Sequence, residues 1–457
     1  MNFNLLRNKN LIIIFVIAVI FITKIFFLTK LNGLGWEADE YMHFLEAKTL
    51  FTNFPHNLNI GIGVWSKPGY IYLYGFLITL FNITSLLSAQ IITVVLTLLT
   101  SWLILKILAE LKCSFKVQLL GLILTNFSFL MFRGSISIMT EPVFALFLTA
   151  GIYFLLKRRM NLTALMFGLL PLVRIEGLFF ILILIAYVVY KKQFNKILIL
   201  IIPTLIWNFL GALITGKLFY IINSGYPLTP GKYSHGGWPY YIEGFMKIDP
   251  IIFILFVISA VYIFRYFKEK HWIKFGVIFS FLLFFALQII FWKFGLFGTA
   301  GLMRYFVTVL PLAVISICLF LNEVFVSQKS KIENILIVLV ICGLQVFFTG
   351  FLFMRGGLIF NQQTRSVVEP GVMEAGDWIK KNVSPNTKVY SDIPEVIYFA
   401  GRDLNNATIF GGDIEYSNNE KAVYIFKKST SRENSLFDNL KGNEVVNFSD
   451  NVYVVTL

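Results

Sequence analysis

The densest group of ionisable residues lies near the N-terminus, in the segment Trp36-Glu-Ala-Asp-Glu-Tyr-Met-His-Phe-Leu-Glu46. On a helix, Asp39, His43 and Glu46 stand at positions i, i+4 and i+7, so one face carries two carboxylates and an imidazole. Such a face can take up and release protons. The alternative is the solvated face of an interfacial helix, with Asp39 or Glu40 capping its N-terminus.

Two further pairs of opposite charges bracket short segments between apolar runs. Arg174 and Glu176 lie two residues apart, and Arg133 and Glu141 flank the segment 133–142. Each pair fits either a local ion pair that closes a turn or a group that binds substrate. The sequence alone leaves both interpretations open.

Three other polar residues stand alone beside apolar runs. Lys67 and Arg304 have no carboxylate close in sequence, which favours anion binding over ion pairing. A side chain that snorkels to the membrane interface is the alternative for either one. His235 lies in the segment 233–238. The favoured interpretation is an ordinary loop histidine, and the alternative is a substrate ligand.

Composition places these residues in a membrane protein. The chain of 457 residues is 57% hydrophobic and only 14% charged, which is more apolar side chain than a soluble core can bury. The net charge of +14 does not indicate a nucleic-acid partner, because the cations form short clusters between apolar runs. The three cysteines lie in or beside apolar stretches, so no disulfide framework or cysteine metal site is predicted.

The basic clusters predict the topology, because loops rich in Lys and Arg stay on the cytoplasmic side. With about 20 apolar residues per crossing, we expect roughly eleven transmembrane helices, a cytoplasmic N-terminus and an extracytoplasmic C-terminus. The first apolar run, 11–28, is predicted to be a retained span, since no cleavage site follows it. The interval 159–191 is short and is predicted to hold two short helices that meet near 171–177. The predicted cytoplasmic clusters contain Arg7, Lys9, Lys112, Lys116, Lys157, Arg158, Arg159, Lys191, Lys192, Lys196, Arg265, Lys268, Lys270, Lys274, Lys329 and Lys331.

Two segments outside the spans are predicted to have structures of their own. The first external loop, 29–85, is predicted to lie along the membrane interface and to end in a juxtamembrane helix over 70–81. From residue 355 onward, β-branched segments alternate with Gly, Asn and Asp turns, as in a small α/β domain. The predicted organisation is therefore a transmembrane domain at 1–354 and an extracytoplasmic α/β domain at 355–457, with helices at 373–382 and 434–440 and strands at 388–390, 422–426 and 452–456.

Together these segments resemble the C-type glycosyltransferase superfamily, membrane enzymes that take a sugar from a polyprenyl-phosphate carrier on the extracytoplasmic or lumenal side. Asp39-Glu-Tyr-Met-His-Phe-Leu-Glu-Ala-Lys48 is similar to the acidic first-loop motif of lipid-linked mannosyltransferases. Ser66-Lys-Pro-Gly-Tyr70 is similar to the Lys-Pro-Pro segment of the aminoarabinose and protein mannosyltransferase branches, with Gly69 in place of the second proline. Further similar segments are Met139-Thr-Glu-Pro142, Leu172-Val-Arg-Ile-Glu-Gly177, Met303-Arg-Tyr-Phe306 and the tail from Ala375.

The resemblance implies an inverting transfer, with direct attack of an acceptor hydroxyl on the anomeric carbon. It implies Asp39 as the general base with Glu40 as reserve or orienting neighbour. Cations on the departing phosphate would come from Lys67, Arg174 and Arg304, with Arg133 as a fourth. The remaining substrate-binding candidates are Glu141, Glu176 and His235.

The implied partners are a polyprenyl-phosphate-linked sugar, with a mannose-like sugar favoured, an acceptor that is a lipid, a glycan or a protein, and the bilayer. No cofactor is expected, although some relatives use a divalent cation that Glu37, Asp39 and Glu40 would help to bind. The absence of Walker, Gly-x-Gly-x-x-Gly, His-Glu-x-x-His and Gly-x-Ser-x-Gly motifs disfavours nucleotide-driven transport and serine or zinc hydrolysis. The alternatives are a transporter or flippase of a lipid-linked or anionic solute, and a membrane scaffold.

Overall fold

A computed structural model describes residues 9–30, 35, 37–52, 54–63, 67–223, 236–266, 274–296, 299–327, 330–354, 371–409, 422–427, 444–449 and 452–456 of the chain. The chain divides into two compact units, each built from separate segments. The helical unit comprises residues 1–30, 62–70 and 90–360. The composite unit comprises residues 31–61, 71–89 and 361–457.

Helices make up nearly all of the helical unit. Its described helices are α1 (Lys9–Lys30), α5 (Leu86–Glu110, which begins in the composite unit), α6 (Phe115–Phe127), α7 (Phe129–Ser135), α8 (Thr140–Leu156), α9 (Met160–Val173), α10 (Gly177–Tyr190), α11 (Asn195–Thr215), α12 (Tyr220–Asn223), α13 (Tyr240–Ile248), α14 (Pro250–Tyr266), α15 (Ser280–Phe294), α16 (Leu310–Ser327) and α17 (Lys331–Met354). A π-helical turn, Lys274–Phe279, precedes α15, and a 3-10 helix, Met303–Thr308, precedes α16.

Six helices among the described residues are long and apolar enough to cross a membrane, and two bent pairs raise the number to eight. The pair α6 and α7 bends by 65°, and the pair α13 and α14 bends by 117°. The predicted first span, 11–28, lies within α1, and α17 ends at Met354, where the predicted transmembrane domain ends. Four apolar helices of 10 to 17 residues add to these, so eleven crossings and their orientation stay predictions.

The interval 159–191 holds two short helices, α9 and α10, as the sequence predicts. Small residues let α9 approach its neighbours closely. A Cβ on Gly168 would lie 2.5 Å from the carbonyl oxygen of Leu200 on α11. A Cβ on Gly151 of α8 would lie 2.5 Å from the ring of Phe167. These contacts hold the middle of α9 against α8 and α11.

Two ionisable side chains are buried among the helices, and sequence analysis identified neither. Lys24 of α1 donates to Asn126 Oδ1 at 2.8 Å. The carboxylate of Asp249, between α13 and α14, accepts the backbone N–H groups of Phe129 and Leu130 at 3.0 Å each. Asp249 therefore binds the N-terminus of α7, where exposed N–H groups favour a negative charge.

The composite unit joins a small sheet to helices from the first loop. Its helices are α2 (Ala38–Thr52), α3 (Leu58–Gly61), α4 (Pro68–Leu80, whose first residues belong to the helical unit), α18 (Val372–Asn382) and α19 (Pro394–Phe399). Its strands are β1 (Lys388–Ser391), β2 (Ala407–Ile409), β3 (Ala422–Lys427), β4 (Glu444–Ser449) and β5 (Val452–Thr456), in the order β2-β1-β3-β5-β4. Strand β1 pairs in parallel with β2 and β3, whereas β5 pairs antiparallel with β3 and β4.

The three predicted strands match β1, β3 and β5, and the predicted helix at 373–382 matches α18. The predicted helix at 434–440 lies outside the described residues. The sheet has two further strands, β2 and β4, and one further helix, α19, which the sequence did not predict. Leu45 of α2 is buried in the same apolar core as residues of the sheet, so the first-loop helix is part of this unit.

Candidate active site

The acidic segment of the first loop forms helix α2, as its spacing predicts. Asp39 and Glu40 occupy its first turn, where carboxylates interact favourably with the free N–H groups. Glu40, His43 and Glu46 are buried, and Asp39 is half-buried. His43 Nδ1 lies 3.9 Å from Glu46 Oε2. The half-buried Asp39 combines access to solvent with partial loss of water, which suits a carboxylate that accepts a proton.

A second charged group lies in the helical unit and is centred on Arg174. We call it the Arg174 cluster and define it as Glu141, Arg174, Glu176 and Arg304. Arg174 follows the last residue of α9, and its Nη1 donates to Glu141 Oε1 at 2.7 Å. Its Nη2 donates to Glu176 Oε1 at 2.8 Å and its Nε to Glu176 Oε2 at 3.3 Å. The fork on Glu176 is bidentate, which fixes the plane of the guanidinium.

Arg304 reaches the cluster from the 3-10 helix Met303–Thr308. Its Nε lies 3.4 Å from Glu141 Oε1, the oxygen that also accepts from Arg174. The sequence favoured anion binding over ion pairing for Arg304, since no carboxylate is close in sequence, but the structure pairs Arg304 with Glu141 of α8, far away in the chain. The next residue, Tyr305, places its ring 4.6 Å from the guanidinium carbon of Arg174. That distance is favourable for a cation over an aromatic face.

Other groups complete the surroundings of the cluster. Thr140, the first residue of α8, accepts a hydrogen bond from Arg174 Nη1 at 3.1 Å. Gln288 of α15 donates to Glu176 Oε1 at 3.4 Å. Lys67 is buried, and its positive charge helps to lower the pKa of Glu176. The cluster and Lys67 together contain three cations and two carboxylates.

Burial and charge act in opposite directions on the pKa values of the cluster. Burial alone lowers the pKa of Arg174 and raises that of Glu176, because each loses water as a charged group. The attraction between opposite charges outweighs burial, so the pKa of Arg174 lies above its usual value and that of Glu176 below it. Burial lowers the pKa of Arg304 to about 10. All three groups are therefore charged at neutral pH.

The predicted site residues fall into three sets. Glu141, Arg174, Glu176 and Arg304 meet in one cluster that Lys67 influences. Arg133 is buried on α7, next to Gly134, whose added Cβ would contact Val307 of the 3-10 helix at 3.3 Å. Asp39 and Glu40 belong to the composite unit, and His235 lies outside the described residues.

Thr140, Gln288 and Tyr305 contact the cluster but were not predicted. Thr140 and Tyr305 each stand directly beside a predicted charged residue, and that adjacency is the signal that would have found them. Gln288 lies in the apolar helix α15, where a single amide does not indicate a functional residue. Among the residues that the structure describes, no three or more His, Cys, Asp or Glu side chains are grouped as a metal ion requires.

No protein-family model and no curated protein matches the sequence. Solved structures do match. ArnT from Cupriavidus metallidurans, in the apo state, has a TM-score of 0.61 at 10% sequence identity, and the match covers 96% of this chain and 97% of that one. ArnT bound to undecaprenyl phosphate has a TM-score of 0.62 at 11% identity, and the match covers 97% of both chains. The chain has the ArnT fold.

An oligosaccharyltransferase with a related fold also matches. AglB from Archaeoglobus fulgidus, in complex with an inhibitory peptide and a dolichol-phosphate, has a TM-score of 0.53 at 12% identity. That match covers 86% of this chain and 64% of AglB. The resemblance to C-type glycosyltransferases that the motifs indicated is thus confirmed at the level of the fold.

Proposed function

We propose that the chain is an inverting glycosyltransferase that moves a sugar from a polyprenyl-phosphate carrier to an acceptor hydroxyl on the extracytoplasmic side of a membrane. One observation carries this proposal. Three sequence segments that resemble superfamily motifs, around Glu141, Arg174 and Arg304, bring their charged side chains into one buried cluster. The fold supports the same function, because ArnT has been solved with undecaprenyl phosphate bound.

The two cations of the Arg174 cluster, together with the nearby Lys67, suit a lipid phosphate. As the bond between the anomeric carbon and the phosphate oxygen breaks, negative charge grows on the phosphate. Fixed cations in a site shielded from water stabilise that charge strongly. Arg174 is already held by Glu141 and Glu176. We assign direct phosphate contact to Arg304 and Lys67, with Arg174 holding Glu141, the carboxylate that also contacts Arg304.

Asp39 is proposed as the general base. The acceptor hydroxyl oxygen attacks the anomeric carbon, its proton passes to the Asp39 carboxylate, and polyprenyl phosphate leaves with the electron pair of the broken bond. One displacement inverts the anomeric centre, and no covalent enzyme intermediate forms. Glu40 neighbours Asp39 in the first turn of α2 and is buried, so it is the reserve base.

The identity of the sugar and of the acceptor is a finer proposal. The first-loop segment 39–48 resembles lipid-linked mannosyltransferases, which favours a mannose-like sugar. The acceptor is a hydroxyl on a lipid, a glycan or a protein. Profiling of glycolipids and glycoproteins in a deletion strain will identify both, because the substrate accumulates without its sugar when the enzyme is missing.

The direct test is a transfer assay with purified protein and radiolabelled polyprenyl-phosphate sugars. Asp39→Asn is expected to abolish transfer without changing binding of the donor, because the amide keeps the shape but does not accept the proton. Asp377→Asn is the matched control, since Asp377 lies on an exposed position of α18 in the same unit. Transfer by Asp39→Asn at the wild-type rate would refute the mechanism.

A transporter or flippase of a lipid-linked or anionic solute remains the alternative, because a cluster of cations also suits a path for anions. The two functions differ in the product. Uptake of the labelled lipid by vesicles that contain the protein, with no sugar transferred to any acceptor, would favour transport.

A further inference from the structure

One side chain of the C-terminal domain, that of Tyr398, contacts both the acidic helix α2 and the start of α5. Tyr398 of α19 places its ring 5.2 Å from the ring of Tyr41 and 5.6 Å from that of Phe44, both edge to face. Its hydroxyl accepts the backbone N–H of Leu86, the first residue of α5, at 3.1 Å. The N–H groups at a helix start have no partner within the helix, so this bond satisfies one of them.

The contacts around Tyr398 leave α2 little freedom. Tyr41 is fully buried, and its phenol oxygen accepts the N–H of Gly35 at 3.0 Å. A Cβ on Gly35 would lie 2.9 Å from the Tyr41 ring, so the chain that enters α2 is packed directly on that ring. The N-terminal turn of α2 is thus enclosed between residue 35 and Tyr398.

A second tie holds the other end of α2 to the same domain. The backbone N–H of Leu404 donates to Thr49 Oγ1 at 3.1 Å. Between the two ties, Leu45 is buried in the core of the sheet. Three points along α2 are therefore fixed by residues more than 300 positions later in the sequence, which fixes both the tilt of the helix and its rotation about its axis.

We propose that Tyr398 is a positioning residue for Asp39, so that the C-terminal domain sets the orientation of the catalytic carboxylate. This inference rests on the proposed function. Asp39 stands two residues before Tyr41 in the same helical turn, so a shift of the Tyr41 ring moves the carboxylate with it. A displacement of about 1 Å at a reacting group costs on the order of 100-fold in rate.

The test compares Tyr398→Phe and Tyr398→Ala with Trp378→Ala. Trp378 is a half-buried aromatic residue on α18 of the same domain, and its ring lies 6.1 Å from that of Phe448. Tyr398→Phe removes only the hydrogen bond to Leu86 and is expected to lower kcat by about 2-fold to 10-fold. Tyr398→Ala also removes the aromatic wall and is expected to lower kcat by about 100-fold.

The pH profile separates positioning from a loss of folded protein. Loss of the ring admits water to the first turn of α2, and a better-solvated carboxylate has a lower pKa. We expect the acidic limb of the kcat profile to move to lower pH in Tyr398→Ala, with the KM of the donor unchanged. Trp378→Ala is expected to change kcat by the same factor at every pH, so that the acidic limb stays at the wild-type pH. An unmoved limb in Tyr398→Ala, or the same shift in Trp378→Ala, would overturn the proposal.

Deuterium exchange tests the same inference without any activity. Amides of residues 40–52 are expected to exchange faster in Tyr398→Ala than in the wild type, and to be unchanged in Trp378→Ala. If the wild-type protein transfers no sugar, the proposed function fails. The same exchange pattern would still show that Tyr398 restrains α2. If the amides of residues 40–52 exchange at the wild-type rate in Tyr398→Ala, Tyr398 does not restrain α2, whatever the activity of the variant.

Discussion

Oε1 of Glu141 lies 2.7 Å from Nη1 of Arg174, although 33 positions separate the two residues in the sequence. The contact joins the start of α8 to the end of α9, and both side chains are largely buried. Removing one partner of a buried ion pair leaves the other charge without compensation. The stability of this corner of the helical unit should therefore depend on Glu141.

Glu141→Gln is expected to lower the free energy of unfolding by on the order of 3 kcal/mol, because Arg174 and Arg304 lose their shared carboxylate oxygen. Thermal unfolding in detergent measures the change. The control is Glu110→Gln, which removes the ion pair of Glu110 with Lys157, a pair that is more than a third exposed on both sides. Exposed pairs contribute little, so this control should unfold like the wild type. Equal losses in the two variants would contradict the assignment.

Charge removal at Arg304 or Lys67 should weaken use of the donor more than use of the acceptor. Arg304→Gln is expected to reduce kcat/KM for the donor by about 10-fold to 100-fold, the effect of one charge-assisted hydrogen bond to a phosphate. The KM of the acceptor should stay within about 2-fold of the wild-type value, since its hydroxyl is assigned to Asp39. Steady-state kinetics with each substrate varied in turn measures both.

Arg265→Gln is the matched control for the phosphate assignment, because Arg265 is an exposed guanidinium near the end of α14. If Arg304→Gln and Lys67→Met both keep the wild-type kcat/KM for the donor, these two residues do not bind the phosphate. A loss of the same size in Arg265→Gln would point to a general effect of charge on the lipid substrate.

Glu176 predicts how stability depends on pH. Its folded-state pKa lies below the usual value because Arg174 stabilises the carboxylate more than burial disfavours it. A depressed folded-state pKa contributes stability that is fully present above the unfolded-state pKa, about 4.5. This contribution is lost as the pH falls below that value and through the folded-state pKa. Thermal unfolding between neutral and acidic pH should show a decline that is smaller in Glu176→Gln. An identical decline in that variant would place the acid sensitivity elsewhere.

Asp249 should stabilise the bend between α6 and α7. Its carboxylate accepts from the hydroxyl of Ser128 at 2.8 Å, from two backbone N–H groups and from the amide of Gln345 at 3.0 Å. Asp249→Ala leaves these donors without an acceptor and is expected to lower the melting temperature more than Asp249→Asn, which keeps one carbonyl oxygen. Ser259→Ala, which removes one neutral hydrogen bond to Ser316, is the control and should have the smallest effect. The reverse order of effects would refute this role.

The proposed topology can be tested by labelling in intact cells. In a variant without native cysteines, Asp377→Cys and Lys191→Cys each introduce one thiol at an exposed position. We expect a membrane-impermeant maleimide to label Asp377→Cys and to leave Lys191→Cys unlabelled until the membrane is opened, because basic loops stay cytoplasmic. The opposite pattern would place the C-terminal domain inside.

The sequence predicted those features that depend on local pattern. The apolar runs of α1 and α17 are long enough to be recognised as helices alone. The spacing of Asp39, His43 and Glu46 predicted the helix α2. Strand β2 has three residues, too few for an alternating pattern to stand out from a loop.

Features that depend on packing between distant segments could not be predicted. The sequence favoured anion binding over ion pairing for Arg304, because its partner Glu141 becomes evident only when α8 packs beside the 3-10 helix. Lys24 is one charge within an apolar run, and its partners Thr97 and Asn126 come from other helices, so no local pattern indicates its role. The role of Tyr398 could not be predicted either, because no residue near position 398 indicates contact with the first loop.

The hydrogen bond between Leu404 and Thr49 spans 355 positions of the chain, and it imposes an order on biosynthesis. At about 5 to 20 residues per second, the ribosome needs roughly 20 to 70 s after making Thr49 before it makes Leu404. During that interval the apolar side chains of α2 have no sheet to pack against. The nascent protein therefore exposes these apolar side chains until the C-terminal strands have been made.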